Sequence, residues 1–275
     1  MTHVSSFKQL WLAAGTGLCL LASSPLQAQD VATPDNKVTD PHFKLAAGYL
    51  KQADLPDSLQ LLGPPPAKES AAFARDEEAR QAALAIKDTA RWALARQDAD
   101  LVFPRPAQNF SCAMGVNIDE STTPLIYQMM QRLLTDAGLS TYGVKNKYQR
   151  VRPFALHEEG TCTPADEDIL RHDGSYPSGH TAAGWAWALV LSQINPERSD
   201  ALLARGLSFG QSRVICNAHW QSDVDGGRVM GAATVARLQS EPSFQADIKA
   251  AREELRQARQ AQAPVDCSLE KAALS

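Results

Sequence analysis

Gly174-Ser175-Tyr176-Pro177-Ser178-Gly179-His180 stands directly before an unusually apolar run, residues 181–191. In that run Ala182, Ala183, Trp185, Ala186, Trp187, Ala188, Leu189, Val190 and Leu191 leave no polar face. A helix that is apolar all round is buried, so this segment is predicted to be the centre of the core. Its start carries unpaired backbone N–H groups and the positive end of the helix dipole, which together favour an anion. Ser178 and Gly179 let an oxyanion approach the backbone closely, and His180 adds a titratable proton at the same place.

Outward from this helix the pattern stays helical. Asn195-Pro196 ends it, and helix signals resume over 200–216, where Gly206 and Gly210, four apart, permit close contact with another helix. A further helix is predicted over 222–240 with Ser222 as its cap, and a charged, alanine-rich surface helix over 243–262. On the other side, 123–137 reads as a helix: Pro124 sits in its first turn, Gly138 follows its end, and Leu125, Ile126, Met129, Met130, Leu133 and Leu134 form one stripe. Residues 70–99 read as one long helix, residues 54–67 as a stiff proline-rich connector without a helix, residues 41–52 as a short helical piece, and 157–172 as a polar loop. Alternating β-patterns are few and no repeat is found. The expected fold is all-α, a single-domain helical bundle packed around the buried central helix.

The 275 residues are 44% hydrophobic and 21% charged, with a formal net charge of -4. That composition is ordinary for a globular protein, and with no basic tract it argues against a nucleic-acid partner. Lys8, the apolar stretch 10–22 and Leu26-Gln27-Ala28 read as a secretory signal over residues 1–28, which leaves 29–275 as one exported domain. Neither apolar run reaches the ~20 residues of a membrane span, so no membrane segment is expected once the signal is removed. Cys112, Cys162, Cys216 and Cys267 would then remain, an even number that suggests two disulfides in an oxidising compartment. Pairing Cys112 with Cys162 and Cys216 with Cys267 closes the shorter loops, but all three connectivities stay open. Homo-oligomerisation is likewise open.

Between residues 145 and 152 the cations Lys145, Lys147, Arg150 and Arg152 cluster, and Ser212-Arg213 is followed by His219 and Asp223. A carboxylate beside an imidazole fixes its tautomer and stabilises its cationic form. The four-residue spacing puts the two on one face if the helix starts early enough, and otherwise their pairing depends on the turn before it. No His, Cys or carboxylate set has metal-ligand spacing, and no cofactor is implied. His157 and His172 have no partner at useful spacing and are expected at the surface. Three cations, a helix N-terminus and two histidines suit phosphoryl transfer, in which Arg forks and a Lys point charge stabilise the equatorial phosphate oxygens.

These residues carry a family resemblance. Lys145, six residues and then Arg152-Pro153, followed by Pro177-Ser178-Gly179-His180 and by Ser212-Arg213 with His219 and Asp223, resemble the three-part signature of the type-2 phosphatidic-acid phosphatase superfamily. The stretch from Gly174 to Thr181 is similar to the signature of its class A bacterial non-specific acid phosphatases. The resemblance implies a periplasmic, metal-independent enzyme acting on small phosphate monoesters through a phosphohistidine. In those terms His219 attacks phosphorus, Asp223 holds its other nitrogen, and His180 is acid and then base. Lys145, Arg152, Arg213, Ser178 and the Gly179 backbone hold the phosphate. The rivals within the same resemblance are a vanadate-dependent haloperoxidase, phosphotransfer to alcohols and a membrane-spanning lipid phosphatase. Outside it, a non-enzymatic phosphate-binding protein would be expected to lack one of His180, His219 or Asp223.

Overall fold

In the computed structural model, which describes residues 45–261 and 265–274, every described residue lies in the unit spanning residues 41–275. The predicted signal and the polar stretch after it fall outside the described residues. The helices run α1 (Ser58–Leu61), α2 (Ala71–Leu84), α3 (Ala90–Asp98), α4 (Arg105–Met114), α5 (Pro124–Leu139), α6 (Tyr142–Tyr148) and α7 (Pro153–Leu156). They continue through α8 (Glu167–Arg171), α9 (Gly179–Ile194), α10 (Ser199–Ile215), α11 (Gln221–Leu238), α12 (Pro242–Ala261) and α13 (Ser268–Leu274). Among the described residues there is no strand, so the all-α expectation is met.

The apolar run is α9, with Ala182, Ala183, Ala186, Trp187, Ala188, Val190 and Leu191 all buried. Helices α5, α10, α11 and α12 pack on it. The Trp187 indole N–H, which burial would otherwise strand, donates to the Met130 carbonyl of α5 at 2.8 Å. The approach of α10 to α9 depends on the two glycines noted in the sequence. A Cβ on Gly206 would stand 2.4 Å from the Ala188 Cβ, and one on Gly210 would stand 2.7 Å from the Thr181 Cγ2. Neither position has room for a side chain, so α10 lies close enough to α9 to bring Arg213 towards His180.

Several expectations change. The helix expected over 70–99 is two helices, because Asp88 adopts a left-handed φ of 64° and the Thr89 hydroxyl caps a new start by accepting the Trp92 N–H. The connector holds the one-turn α1, capped by Asp57. The buried Ser58 accepts the Val144 N–H at 3.0 Å and so ties the connector to the helix carrying Lys145. Residues 45–50 are not helical; Asp136 of α5 accepts the Tyr49 and Leu50 N–H groups and straps this segment down. The loop over 157–172 contains α8. Helix α12 is not merely a surface helix: Phe244, Ile248, Ala251, Leu255 and Ala258 recur at helical spacing and are buried. The disulfides join Cys112 to Cys267 and Cys162 to Cys216, so the pairing that closes shorter loops is not the one formed. Chain topology overrides loop length here: the Cys162 N–H already donates to the Cys216 carbonyl, which holds the two cysteines together.

Candidate active site

Four helix ends converge. Ser178 caps α9, its hydroxyl accepting the Thr181 N–H at 3.1 Å. Its own N–H donates to the Asp223 carbonyl at 2.9 Å, which joins the start of α9 to the start of α11. Ser222 is not the cap of α11. That position belongs to Trp220, whose N–H donates to the Asp223 carboxylate three residues on. His219 therefore lies in the turn after α10, where its N–H and that of Ala218 both donate to the Arg213 carbonyl. Asn217, at a left-handed φ of 58°, makes the turn.

His219 is buried and its two nitrogens are distinguishable. Nδ1 lies 3.3 Å from Asp223 Oδ2, and Nε2 lies 2.9 Å from Arg152 Nη1. A guanidinium can only donate, so Nε2 is the acceptor and carries the lone pair, while Nδ1 carries the hydrogen that faces Asp223. Burial, reinforced by Arg152, Lys145 and Arg213, holds the imidazole well below its ordinary value and keeps it neutral.

Lys145 and Arg152 converge on one oxygen, Asp173 Oδ2, at 3.0 and 2.8 Å. Lys145 also donates to the Gly174 carbonyl, and Arg152 to the carbonyls of Asp173 and Ala218, each at 3.0 Å. A Cβ on Gly179 would come 3.9 Å from the Lys145 Cε, so the lysine stem lies against the first residue of α9. Burial lowers Lys145 and Arg152, with Asp173 opposing the shift in both. Burial alone would raise Asp173, but Lys145 and Arg152 hold it below the usual carboxylate range.

Arg213 differs from the other two cations. It is buried, and neither its Nε nor its Nη1 has a hydrogen-bond partner. Burial, with Arg152 close by, pulls it down to about 10. Unpaired buried guanidinium N–H groups are costly, and their geometry fits an oxyanion. His180 is comparable. Its ring stacks on Phe209 with centroids 4.6 Å apart, it hydrogen-bonds the Asp98 backbone, and its Nε2 has no partner. Burial, then Arg213 and His219, hold it well below its usual value.

All eight sequence-predicted residues, Lys145, Arg152, Ser178, Gly179, His180, Arg213, His219 and Asp223, thus meet around the start of α9. His157 pairs with Glu77 at 2.7 Å, and His172 is exposed. Among the described residues no group of three His, Cys, Asp or Glu side chains could hold a metal ion.

Residues 128–240 match the model of the PAP2 superfamily, which spans the whole constellation. The chain is 46% identical to a non-specific acid phosphatase of Providencia stuartii over 80% of its own length and 88% of that protein. It is 50% identical to one of Salmonella typhi over 70% and 78% of the two chains. An acid phosphatase of Zymomonas mobilis subsp. mobilis is 38% identical over 79% and 83%. This chain belongs to the PAP2 superfamily, among its class A acid phosphatases.

Several residues at this PAP2 site carry little or no signal in the sequence. Asp173 directly precedes the opening stretch and takes both Lys145 and Arg152. Ser175 lies inside that stretch, and its hydroxyl donates to Asp223 Oδ2. Asp98 and Phe209 had no signal, since a backbone carbonyl and a ring face leave no pattern in sequence. Arg150, counted with the cation run, turns away from Lys145 and Arg152 to pair with Asp223 at 2.6 Å.

Proposed function

We propose that this enzyme hydrolyses small phosphate monoesters through a phosphohistidine on His219, without a metal ion. One observation carries the reading. His219 Nε2, a neutral acceptor oriented through Nδ1 by Asp223, faces the same buried space as Lys145, Arg152 and the unpaired N–H groups of Arg213. A phosphate held by those cations, by the Ser178 hydroxyl and by the first amides of α9 would present phosphorus to that lone pair.

In the first step the P–Nε2 bond forms and the ester P–O bond breaks. Asp223 stabilises the positive charge that develops on His219, and His180 Nε2–H gives its proton to the leaving alcohol oxygen. In the second step His180 takes a proton from water, the water oxygen attacks phosphorus, and the P–N bond breaks to release phosphate. His180 is neutral in the free enzyme and acquires its proton with the dianionic substrate, which reverses the local field. His219 must be neutral and His180 protonated, so the rate follows a bell-shaped profile on the acidic side.

The chain reads as exported to the periplasm, with residues 1–28 as the signal and 29–275 as one catalytic domain. Two disulfides, which form and persist in oxidising compartments, support that reading. A substrate panel of nucleotide, sugar and aryl monophosphates, run with EDTA and with vanadate, tests the function. Turnover indifferent to EDTA and blocked by vanadate is expected; dependence on an added divalent metal would overturn the mechanism. Bromide oxidation with added vanadate would instead favour the haloperoxidase reading.

A further inference from the structure

We propose that Arg150 is a positioning residue for this reaction, locking the Asp223 carboxylate that orients His219. The inference rests on the nucleophile reading above. Lys145 and Arg152 converge on Asp173, whereas Arg150 faces the back of Asp223. Its Nη1 donates to Asp223 Oδ1 at 2.6 Å and to the Ser222 hydroxyl at 2.7 Å, and its Nη2 donates to Asp76 Oδ2 at 2.7 Å. Asp76, on α2, also accepts the Ser222 N–H at 2.8 Å and the Ser222 hydroxyl at 2.6 Å. The three charged side chains are nearly inaccessible, at 8% for Arg150, 2% for Asp76 and 0% for Asp223. The guanidinium also stands 5.3 Å from the Trp220 ring centroid.

The two carboxylate oxygens divide their duties. Oδ1 is held by Arg150, while Oδ2 faces Ser175, the Trp220 N–H and His219 Nδ1. Arg150 also reaches Oδ2 indirectly, because its carbonyl accepts the Ser175 N–H at 2.8 Å and so fixes the residue whose hydroxyl donates there. The planar fork is what the place demands: two carboxylates from two helices must be engaged at once, and a lysine ammonium cannot reproduce that geometry. Without the cation, Asp223 and Asp76 would be two buried carboxylates sharing no counter-charge.

The charge of Arg150 also tempers how strongly Asp223 favours the imidazolium. The groups facing His219 are Lys145 from α6, Arg152 at the start of α7, Asp173 and Ser175 from the loop before α9, His180 from α9, Arg213 from α10 and Asp223 from α11. Arg150 is the cation that partners Asp223 from outside this ring. Removing it leaves the Asp223 charge unopposed, so His219 should protonate at higher pH.

The test compares Arg150→Gln, Arg150→Lys and His219→Ala in the full chain, with folding followed by circular dichroism and active sites counted by the burst of alcohol release. Arg150→Gln is expected to lower kcat per site about 10- to 100-fold, the range for outer partners that orient a functional histidine, with KM little changed. Its acid limb should move up by roughly half a pH unit or more. Arg150→Lys should keep the acid limb, since the charge remains, and lose part of kcat, since the fork is gone. A folded Arg150→Gln protein with the original kcat per site and acid limb would overturn the proposal. Should Arg150→Gln not fold, an unchanged kcat per site in Arg150→Lys would overturn it and a loss would support it. A phosphoenzyme that still forms in His219→Ala would instead overturn the nucleophile, and with it the reason for Arg150.

Discussion

Sulfate binding between mildly acidic and neutral pH should carry up to one proton into the protein, and His180 should be the group that takes it. Sulfate is a dianion that does not itself titrate near neutrality, so any proton taken up belongs to the protein. In the free protein His180 is held well below its usual value by burial, then by Arg213 and His219, and its Nε2 has no partner. A dianion among Arg213 and Arg152 cancels that positive field and offers Nε2 an acceptor. An opposite charge within hydrogen-bonding range favours the protonated imidazole, so the dianion raises His180. Between the free-state and bound-state values of His180, where one proton is taken up, affinity should fall about tenfold per pH unit, or about 1.4 kcal/mol. Calorimetry in buffers of different ionisation enthalpy counts the protons directly, and His180→Asn should bring the count to near zero while His219→Asn should not. Sulfate binding without proton uptake, or uptake unchanged in His180→Asn, would refute the role given to His180.

Other outcomes follow from the same geometry. His180 and His219 are both held below their ordinary values, so the folded state binds fewer protons than the unfolded chain in mild acid. Their contribution to stability is therefore complete above about pH 6.5 and lost as pH falls, by up to about 1.4 kcal/mol per unit for each histidine. Thermal midpoints that stay flat from pH 7 to 5 in salt of constant composition would contradict this. Loop entropy assigns about 4–5 kcal/mol to each disulfide, but the two should separate in activity. Cys162–Cys216 closes the end of α10 beside Arg213 and the Ala218 carbonyl that holds Arg152, whereas Cys112–Cys267 anchors α13. Serine replacements at Cys162 and Cys216 should lower kcat as well as the melting point, and those at Cys112 and Cys267 chiefly the melting point. Equal kcat losses would argue against that division.

What the sequence disclosed follows from which features leave a pattern. The apolar run of α9 announced its burial because no polar face interrupts it, and Gly206 and Gly210 announced a close contact that α10 makes. Lys145, Arg152, His180, Arg213 and His219, which the structure brings close to one another, stood out because the proposed phosphate chemistry calls for those side-chain types at linked positions. Asp173 and Asp76 were not, since a carboxylate that fixes a cation from another segment has no characteristic spacing. Asp98 acts on His180 through its backbone, which any residue could supply. Two boundaries failed for local reasons: Thr89 begins a new helix inside an alanine-rich stretch, and Trp220 rather than Ser222 caps α11 because Ser222 is engaged by Asp76. The disulfide pairing stayed open in the sequence because loop length is a weak guide when the fold brings distant segments together.

In the proposed reaction His219 carries the phosphoryl group. Rapid quenching of a turnover with radiolabelled phosphate monoester, followed by peptide mapping, tests it most directly. An acid-labile, base-stable phosphate is expected on the peptide containing His219 and absent from His219→Ala. Label on any other residue, or an undiminished phosphoenzyme in His219→Ala, would contradict it.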